Sequence, residues 1–233
     1  MTSDEGLMTV KAVLIDIDNT ILDFDRCSEE AIKQTAEHFG ITLPENYFEV
    51  FSECNDKLWH LLEEGIITKQ DIYDRRWVEI FKRLGIEADG IAFDNTFREK
   101  IRNIAIPVDG AEELLQYLSE RYPVYCASNA SRERQEYRLS SCGFNKYISG
   151  IFTSEDIGFQ KPAKEFFFAC TNALYPVKPS EIVMIGDSVN ADIIGAKSFG
   201  LKAIWFNFRN DTYNDYNFTD YTVNKLCEIK SII

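Results

Sequence analysis

Two kinds of apolar spacing divide this chain. Val13-Leu14-Ile15, Val124-Tyr125-Cys126-Ala127, Ile182-Val183-Met184-Ile185 and Ala203-Ile204-Trp205-Phe206 are short unbroken runs. Such runs are the pattern of strands buried on both faces of a parallel sheet. From Val108 onward they alternate with helical spacing. Leu114, Leu115 and Leu118 follow Asp109-Gly110-Ala111, a helix is expected after Ser131, and others at about 163–174 and 190–199. Gly150-Ile151-Phe152-Thr153 reads as a further strand. Alternation of this kind predicts an α/β fold built on a doubly wound parallel sheet. Residues 207–220, rich in Asn, Asp and Tyr, read as a surface loop before a short C-terminal helix.

Residues 26–104 differ, because nothing in them alternates like a strand. Ser28 is placed as the cap of a first helix ending near Gly40, and Pro44 as the opening of a second that runs through Phe48, Phe51, Leu58, Leu61 and Leu62 to Gly65. Thr68 caps a third, with Asp71 at the capping-box position and Ile72, Trp77, Ile80, Phe81 and Leu84 on one face. A fourth covers roughly Ala92 to Asn103. The pattern predicts an all-helical domain at 23–104, inserted into a core made of 1–22 and 105–233.

The 233 residues are 45% hydrophobic and 27% charged, the balance of an ordinary globular protein. The net charge of −13 offers no basic stripe for a nucleic-acid polymer, yet leaves room for a small phosphorylated ligand held by a local cation. No apolar run approaches the roughly 18 residues of a membrane span. Met1-Thr2-Ser3-Asp4-Glu5 lacks the charge pattern of a signal peptide, so the expected location is cytoplasmic. Six scattered cysteines without a C-x-x-C pair favour reduced thiols. His38 and His60, the two histidines, are too few for a zinc site and read as structural. The sequons at Asn129, Asn210 and Asn217 carry little weight without a secretion signal.

The first apolar run ends in Asp16-Ile17-Asp18-Asn19-Thr20, at the strand end where open α/β sheets bind ligands. Two neighbouring carboxylates repel unless a cation sits between them or their pKa values are driven apart. A metal-assisted site is one reading, with one carboxylate attacking and the other handling protons. Solvated turn residues are the other. Further strand ends carry Ser128-Asn129 and Gly186-Asp187-Ser188, with Asp192 beyond, and Lys161-Pro162 lies in a loop between them.

Acid, hydroxyl, lysine and acid in this order resemble the haloacid dehalogenase (HAD) superfamily. Its four signatures are D-x-D-x-T, a strand ending in Ser or Thr, a Lys often followed by Pro, and G-D-x-x-x-x-D, and the likeness covers essentially the whole chain. The resemblance implies that the helical insert is a cap of the first subclass. It also implies Mg²⁺ as cofactor and a phosphomonoester hydrolase acting through an aspartyl-phosphate. Asp16 would be the nucleophile and Asp18 the general acid and base. Asp16, Asp187 and the Asp18 carbonyl would hold the metal. Ser128, Asn129 and Lys161 would bind the phosphoryl group, with Lys161 also balancing charge. Thr20 would order the loop. Asp192 would touch the metal directly, hold a metal-bound water, stand behind the ligands or cap the next helix.

Dehalogenases of the superfamily lack the second Asp of the first signature, so Asp18 favours phosphoryl transfer. The first signature and the helical cap look most like the pyrimidine 5′-nucleotidase branch, with phosphoglycolate and sugar phosphates close behind. A sugar-phosphate mutase, a 2-haloacid dehalogenase and a non-catalytic binding protein remain alternatives, as do monomer and homodimer. Ile21, Leu22, Asp23 and Phe24 after Thr20, and Trp59, Arg75, Arg76 and Arg98 in the insert, are placed to see a leaving group. Arg76 is the first choice for a substrate contact, set against a solvated or ion-paired arginine on a helix face. Trp59 and Trp77 read rather as the core of the insert.

Overall fold

The computed structural model of the protein describes residues 9–213 and 218–233. The N-terminal segment Met1–Glu5 and the sequon at Asn217 lie outside them. The chain forms two compact units, one from residues up to Asp23 and from Pro107 onward, the other Phe24–Ile106. The division thus falls one residue later than expected at the first junction and two later at the second.

The first unit is built on six parallel strands: β1 (Ala12–Ile15), β2 (Val124–Ser128), β3 (Gly150–Thr153), β4 (Ile182–Gly186), β5 (Lys202–Phe206) and β6 (Tyr221–Val223). Their order is β3-β2-β1-β4-β5-β6. β1 is central, with Val13 opposite Val124 on one side and Val183 on the other. All four residues of β1 are buried, which is why the run carries no polar alternation. In this order the sheet changes direction between β1 and β4, the crevice in which such folds bind ligands. β6 is not among the expected strands and follows directly on the loop expected at 207–220. It is three residues long and exposed at two of them, so it carries no apolar run to announce it.

The helices of this unit are α5 (Ala111–Ser119), α6 (Arg132–Ser141), α7 (Ser154–Ile157), α8 (Lys164–Ala173) and α9 (Gly195–Phe199), numbered after four in the insert. Leu114, Leu115 and Leu118 of α5 pack with Val13, Ile15 and Val183 on one face of the sheet. Phe166, Phe167 and Cys170 of α8 pack with Ala12, Leu14 and Met184 on the other. The stretch expected as one helix at 190–199 begins instead with a π-helical turn, Val189–Ile194, and only then becomes α9. The expected C-terminal helix is a 3₁₀ turn, Leu226–Ser231.

The second unit contains α1 (Phe24–Phe39), α2 (Tyr47–Glu63), α3 (Lys69–Leu84) and α4 (Gly90–Arg102). Its core stacks Phe51, Trp77, Phe81, Phe93 and Phe97. Thr68 and Asp71 form the capping box of α3, which ends at Gly85 in a left-handed conformation. Two expected starts are corrected. α1 begins at Phe24, so Ser28 is a buried residue of its second turn rather than its cap. Pro44 belongs to the turn before α2, where its carbonyl accepts from the Tyr47 N–H at 3.1 Å. None of the six cysteines, all among the described residues, forms a disulfide. No helix among the described residues is long and apolar enough to cross a membrane.

Candidate active site

The first unit gathers its polar residues at the carboxyl ends of β1, β2 and β4. The Asp16 N–H continues the ladder past β1 by donating to the Ile185 carbonyl at 2.8 Å. The chain then turns sharply: the N–H groups of Thr20, Ile21 and Leu22 all point at the Ile17 carbonyl. Asn19 takes the left-handed conformation (φ 60°) that such a turn requires and that Asn tolerates. This turn aims the Asp16 and Asp18 side chains to different partners.

Asp16 meets Lys161. The ammonium donates at 2.6 Å to Asp16 Oδ1, to Asp192 Oδ1 and to the Ala127 carbonyl. All three donors of a buried lysine are thereby used, and its side chain is only 2% exposed. Burial opposes the charge of Lys161, but Asp16 and Asp192 outweigh it and hold the ammonium above its ordinary range. Burial, partly offset by Lys161 and reinforced by Asp192, pushes the Asp16 carboxyl up to about 8. Burial also lifts Asp187 well above its usual value, with Asp16 and Asp192 adding to the shift.

One ligand oxygen each from Asp16, Asp187 and Asp192 lie within 4.8 Å of one another. Three buried or half-buried carboxylates around one lysine leave an excess of negative charge. A divalent cation with hard oxygen ligands would compensate it, so the donor set fits Mg²⁺. The three differ in availability. Both oxygens of Asp192 are engaged, Oδ1 by Lys161 and Oδ2 by the Ser188 N–H at 3.1 Å. Asp187 is steadied at its edges: Thr20 Oγ1 donates to its Oδ1 at 3.3 Å, and the Trp205 indole N–H donates to its carbonyl at 2.8 Å.

Asp18 is elsewhere engaged. Its Oδ1 accepts from Arg138 Nη1 at 2.5 Å and its Oδ2 from Gln135 Nε2 at 2.7 Å, and Arg134 stands 3.6 Å away. Burial alone would raise this carboxyl, but Arg138 and Arg134 outweigh burial and bring it down to about 2. Asp16 and Asp18, two residues apart, are thus driven in opposite directions, one poorly compensated and the other strongly paired.

Ser128 closes β2 with its hydroxyl accepting from the Ala130 N–H at 3.1 Å and from Gln135 Nε2 at 3.0 Å. Asn129, expected to bind substrate, is committed to the protein instead. Its Nδ2 donates to the Lys161 carbonyl at 2.9 Å and its Oδ1 accepts from the Lys161 N–H at 2.8 Å. It holds the Lys161 loop against β2.

Arg76 is the other correction. In the second unit its guanidinium is 4% exposed and donates to Asp94 Oδ1 from Nε at 3.0 Å and Nη2 at 2.8 Å. Nη1 donates to Asn55 at 3.1 Å, and the group lies over Phe97. A guanidinium so buried and saturated serves the core of the insert rather than a leaving group. Trp77 is in that same core, and Trp59 packs on Leu58, Leu62 and Ile72. Arg75 pairs with Glu79, and Arg98 with Asp94.

Gln135, Arg138 and Trp205 were not singled out in the sequence. A signal existed for the first two. α6 reads Arg-Glu-Arg-Gln-Glu-Tyr-Arg-Leu-Ser-Ser, too poor in apolar residues to cover a sheet, so some of its polar residues had to be buried.

Comparison with known proteins shows the family and the fold. The model of the family "haloacid dehalogenase-like hydrolase" matches residues 10–200. The HAD-hydrolase YfnB of Bacillus subtilis is 32% identical over 197 residues, 84% of each chain. The pyrimidine 5′-nucleotidase PynA of Streptococcus pneumoniae is 31% identical over 222 residues, 91% of this chain and 94% of that one. A crystal structure of YfnB bound to magnesium superposes with a TM-score of 0.89 at 30% identity, covering 94% of this chain and 96% of its own.

Proposed function

The chain belongs to the haloacid dehalogenase-like hydrolases, and from that premise we propose that it is a Mg²⁺-dependent phosphomonoester hydrolase acting on nucleoside 5′-monophosphates. The observation that carries this reading is the opposite treatment of Asp16 and Asp18. One carboxylate is left short of positive charge beside Lys161, and the other is held ionised by Arg138. A nucleophile and a proton carrier need such different surroundings. The nucleotide class rests on the likeness to the nucleotidase PynA along nearly the whole of both chains.

In the proposed cycle Asp16 attacks phosphorus, an aspartyl-phosphate forms and the bond to the leaving oxygen breaks as Asp18 gives that oxygen a proton. Water then attacks the phosphorus, passes a proton to Asp18, and the bond to Asp16 breaks. The resting Asp18 carboxylate is ionised, so in this cycle it takes up a proton from solvent as the ester binds and gives it to the leaving oxygen. Again a carboxylate, it then receives the proton of the attacking water and returns it to solvent. Lys161 neutralises charge gathering between Asp16 and the phosphoryl oxygens. Ser128 donates its hydroxyl proton to one of those oxygens. Asp16 and Asp187, with the Asp18 carbonyl, would hold Mg²⁺, which supplies charge neutralisation and orientation of the phosphoryl group when bound. Asp192 stands behind them and fixes Lys161.

Expulsion of halide would need no proton donor, whereas an alkoxide does. The engaged Asp18 therefore speaks for phosphate esters over haloacids. The deciding experiment is phosphate release from a panel of nucleoside monophosphates and sugar phosphates, with and without Mg²⁺, beside Asp16→Asn. Metal-dependent release, strongest on nucleoside monophosphates and absent in the variant, is the expected result. A preference for sugar phosphates would overturn the substrate class, and no release at all would overturn the chemistry.

A further inference from the structure

Gln135 touches two of the residues to which the proposed reaction gives roles. Its Nε2 donates to Asp18 Oδ2 at 2.7 Å and to Ser128 Oγ at 3.0 Å, and its Oε1 accepts from Arg138 Nη1 at 3.1 Å. Gln135 and Arg138 are both fully buried and lie three residues apart, on one face of α6. Arginine can only donate, so Arg138 requires an acceptor and turns the oxygen of the Gln135 amide toward itself. The amino group must then face Asp18 and Ser128, and its two hydrogens are divided between them.

This orientation has a consequence for Ser128. A hydroxyl has one proton and two lone pairs. Ser128 Oγ already accepts from the Ala130 N–H and from Gln135, which occupies both lone pairs. Its proton is left for an acceptor outside this set, and a phosphoryl oxygen is an acceptor only. Were Gln135 absent, the Ser128 hydroxyl could turn and donate to Asp18 or to the backbone instead.

Stability alone does not account for the arrangement. A buried arginine–carboxylate pair is often no more stabilising than well-packed apolar residues of the same volume. Leucine and methionine at 135 and 138 would cover the sheet with less desolvation.

We propose that Gln135, oriented by Arg138, is a positioning residue that fixes the Asp18 carboxylate and commits the Ser128 proton to the phosphoryl group. The inference rests on the roles given above to Asp18 and Ser128. In this reading Gln135 and Arg138 act on the substrate only through those two side chains.

Gln135→Met keeps the length of the side chain and removes its hydrogen bonds. Arg138→Lys keeps a donor for Gln135 Oε1, and Arg138→Met removes it. The three variants and the parent enzyme are compared on a nucleoside monophosphate and on p-nitrophenyl phosphate, whose leaving group departs without a proton. Inorganic phosphate is the probe of binding, and thermal melting reports folding. With Gln135→Met, phosphate inhibition is expected to weaken about fivefold, the worth of roughly one hydrogen bond. Turnover of the nucleotide falls about 100-fold, the lower end of what a positioned acid contributes, while turnover of the aryl ester falls only a few-fold. Arg138→Met follows the same pattern and Arg138→Lys recovers most of it. Equal losses on both esters in a folded variant, or none, would overturn the inference and leave the hydrolase reading intact. Absence of Mg²⁺-dependent release by the parent enzyme would overturn both.

Discussion

The carboxylate of Asp192 rests on the Cα of Gly186: a β-carbon at that position would lie 2.2 Å from Asp192 Oδ2 and 2.6 Å from its Cβ. Gly186 is thus the gap into which the π-helical turn inserts the acid that anchors Lys161. Gly186→Ala is expected to push the whole side chain aside. Overpacking of this kind costs about 1–3 kcal/mol, and displacing Lys161 by about 1 Å lowers turnover by on the order of 100-fold. Melting and phosphate release check the two effects together. A variant with unaltered turnover would show that Asp192 does not set the position of Lys161.

Removal of metal should be legible in stability as well as activity. A ligand that binds only the folded state at about 100 times its Kd adds about 2.7 kcal/mol. Mg²⁺ is therefore expected to raise the melting temperature of the parent protein by several degrees over a chelator-treated sample. The rise should vanish in Asp187→Asn, because Asp187 is the carboxylate with an oxygen least engaged by the protein. Equal rises in the parent and the variant would remove Asp187 from the ligand set.

Much of this was readable before any coordinates. The four apolar runs fix β1, β2, β4 and β5, because strands buried on both faces have no choice of composition. The positions of Asp16 and Asp187 just after two of those runs place them at the same edge of the sheet, whereas Lys161, in a loop, was reached only through the resemblance to the family. What escaped has a common cause, which is that side-chain partnership is settled by tertiary contact. Asn129 and Arg76 looked available because a polar residue in sequence shows no partner. In the fold, the backbone of Lys161 takes the first and Asp94 the second. The start of α1 was misplaced because Ser28 is a good cap by type, while the helix begins one turn earlier at Phe24.

Arg76 and Asp94 offer a direct test of that correction. Both side chains are buried, and removing one partner of a buried pair costs about 3–5 kcal/mol because a charge is stranded. Arg76→Met is expected to lower stability by that amount and to leave the KM of a folded sample within about twofold. Arg76→Met combined with Asp94→Leu should recover most of the loss. A large rise in KM without loss of stability would return Arg76 to the substrate.

Asp18 makes stability depend on acid in a defined direction. Its carboxyl sits at about 2 in the folded protein against 3.8 in a free chain. The folded state therefore binds the proton less readily than the unfolded one, and the contribution is complete above about pH 4 and is lost as pH falls toward 2. The difference corresponds to about 2 kcal/mol at neutral pH, reduced somewhat because the side chain is 26% exposed. Asp18→Asn cannot ionise, so the gap in unfolding free energy between it and the parent isolates this one group from the other carboxylates. That gap is expected to be largest at pH 6 and to shrink to about half by pH 3. Arg138→Met should show a much smaller change over the same range, since the cation chiefly responsible is gone. A gap that held constant from pH 6 to pH 3 would mean that Arg138 does not govern the charge of Asp18.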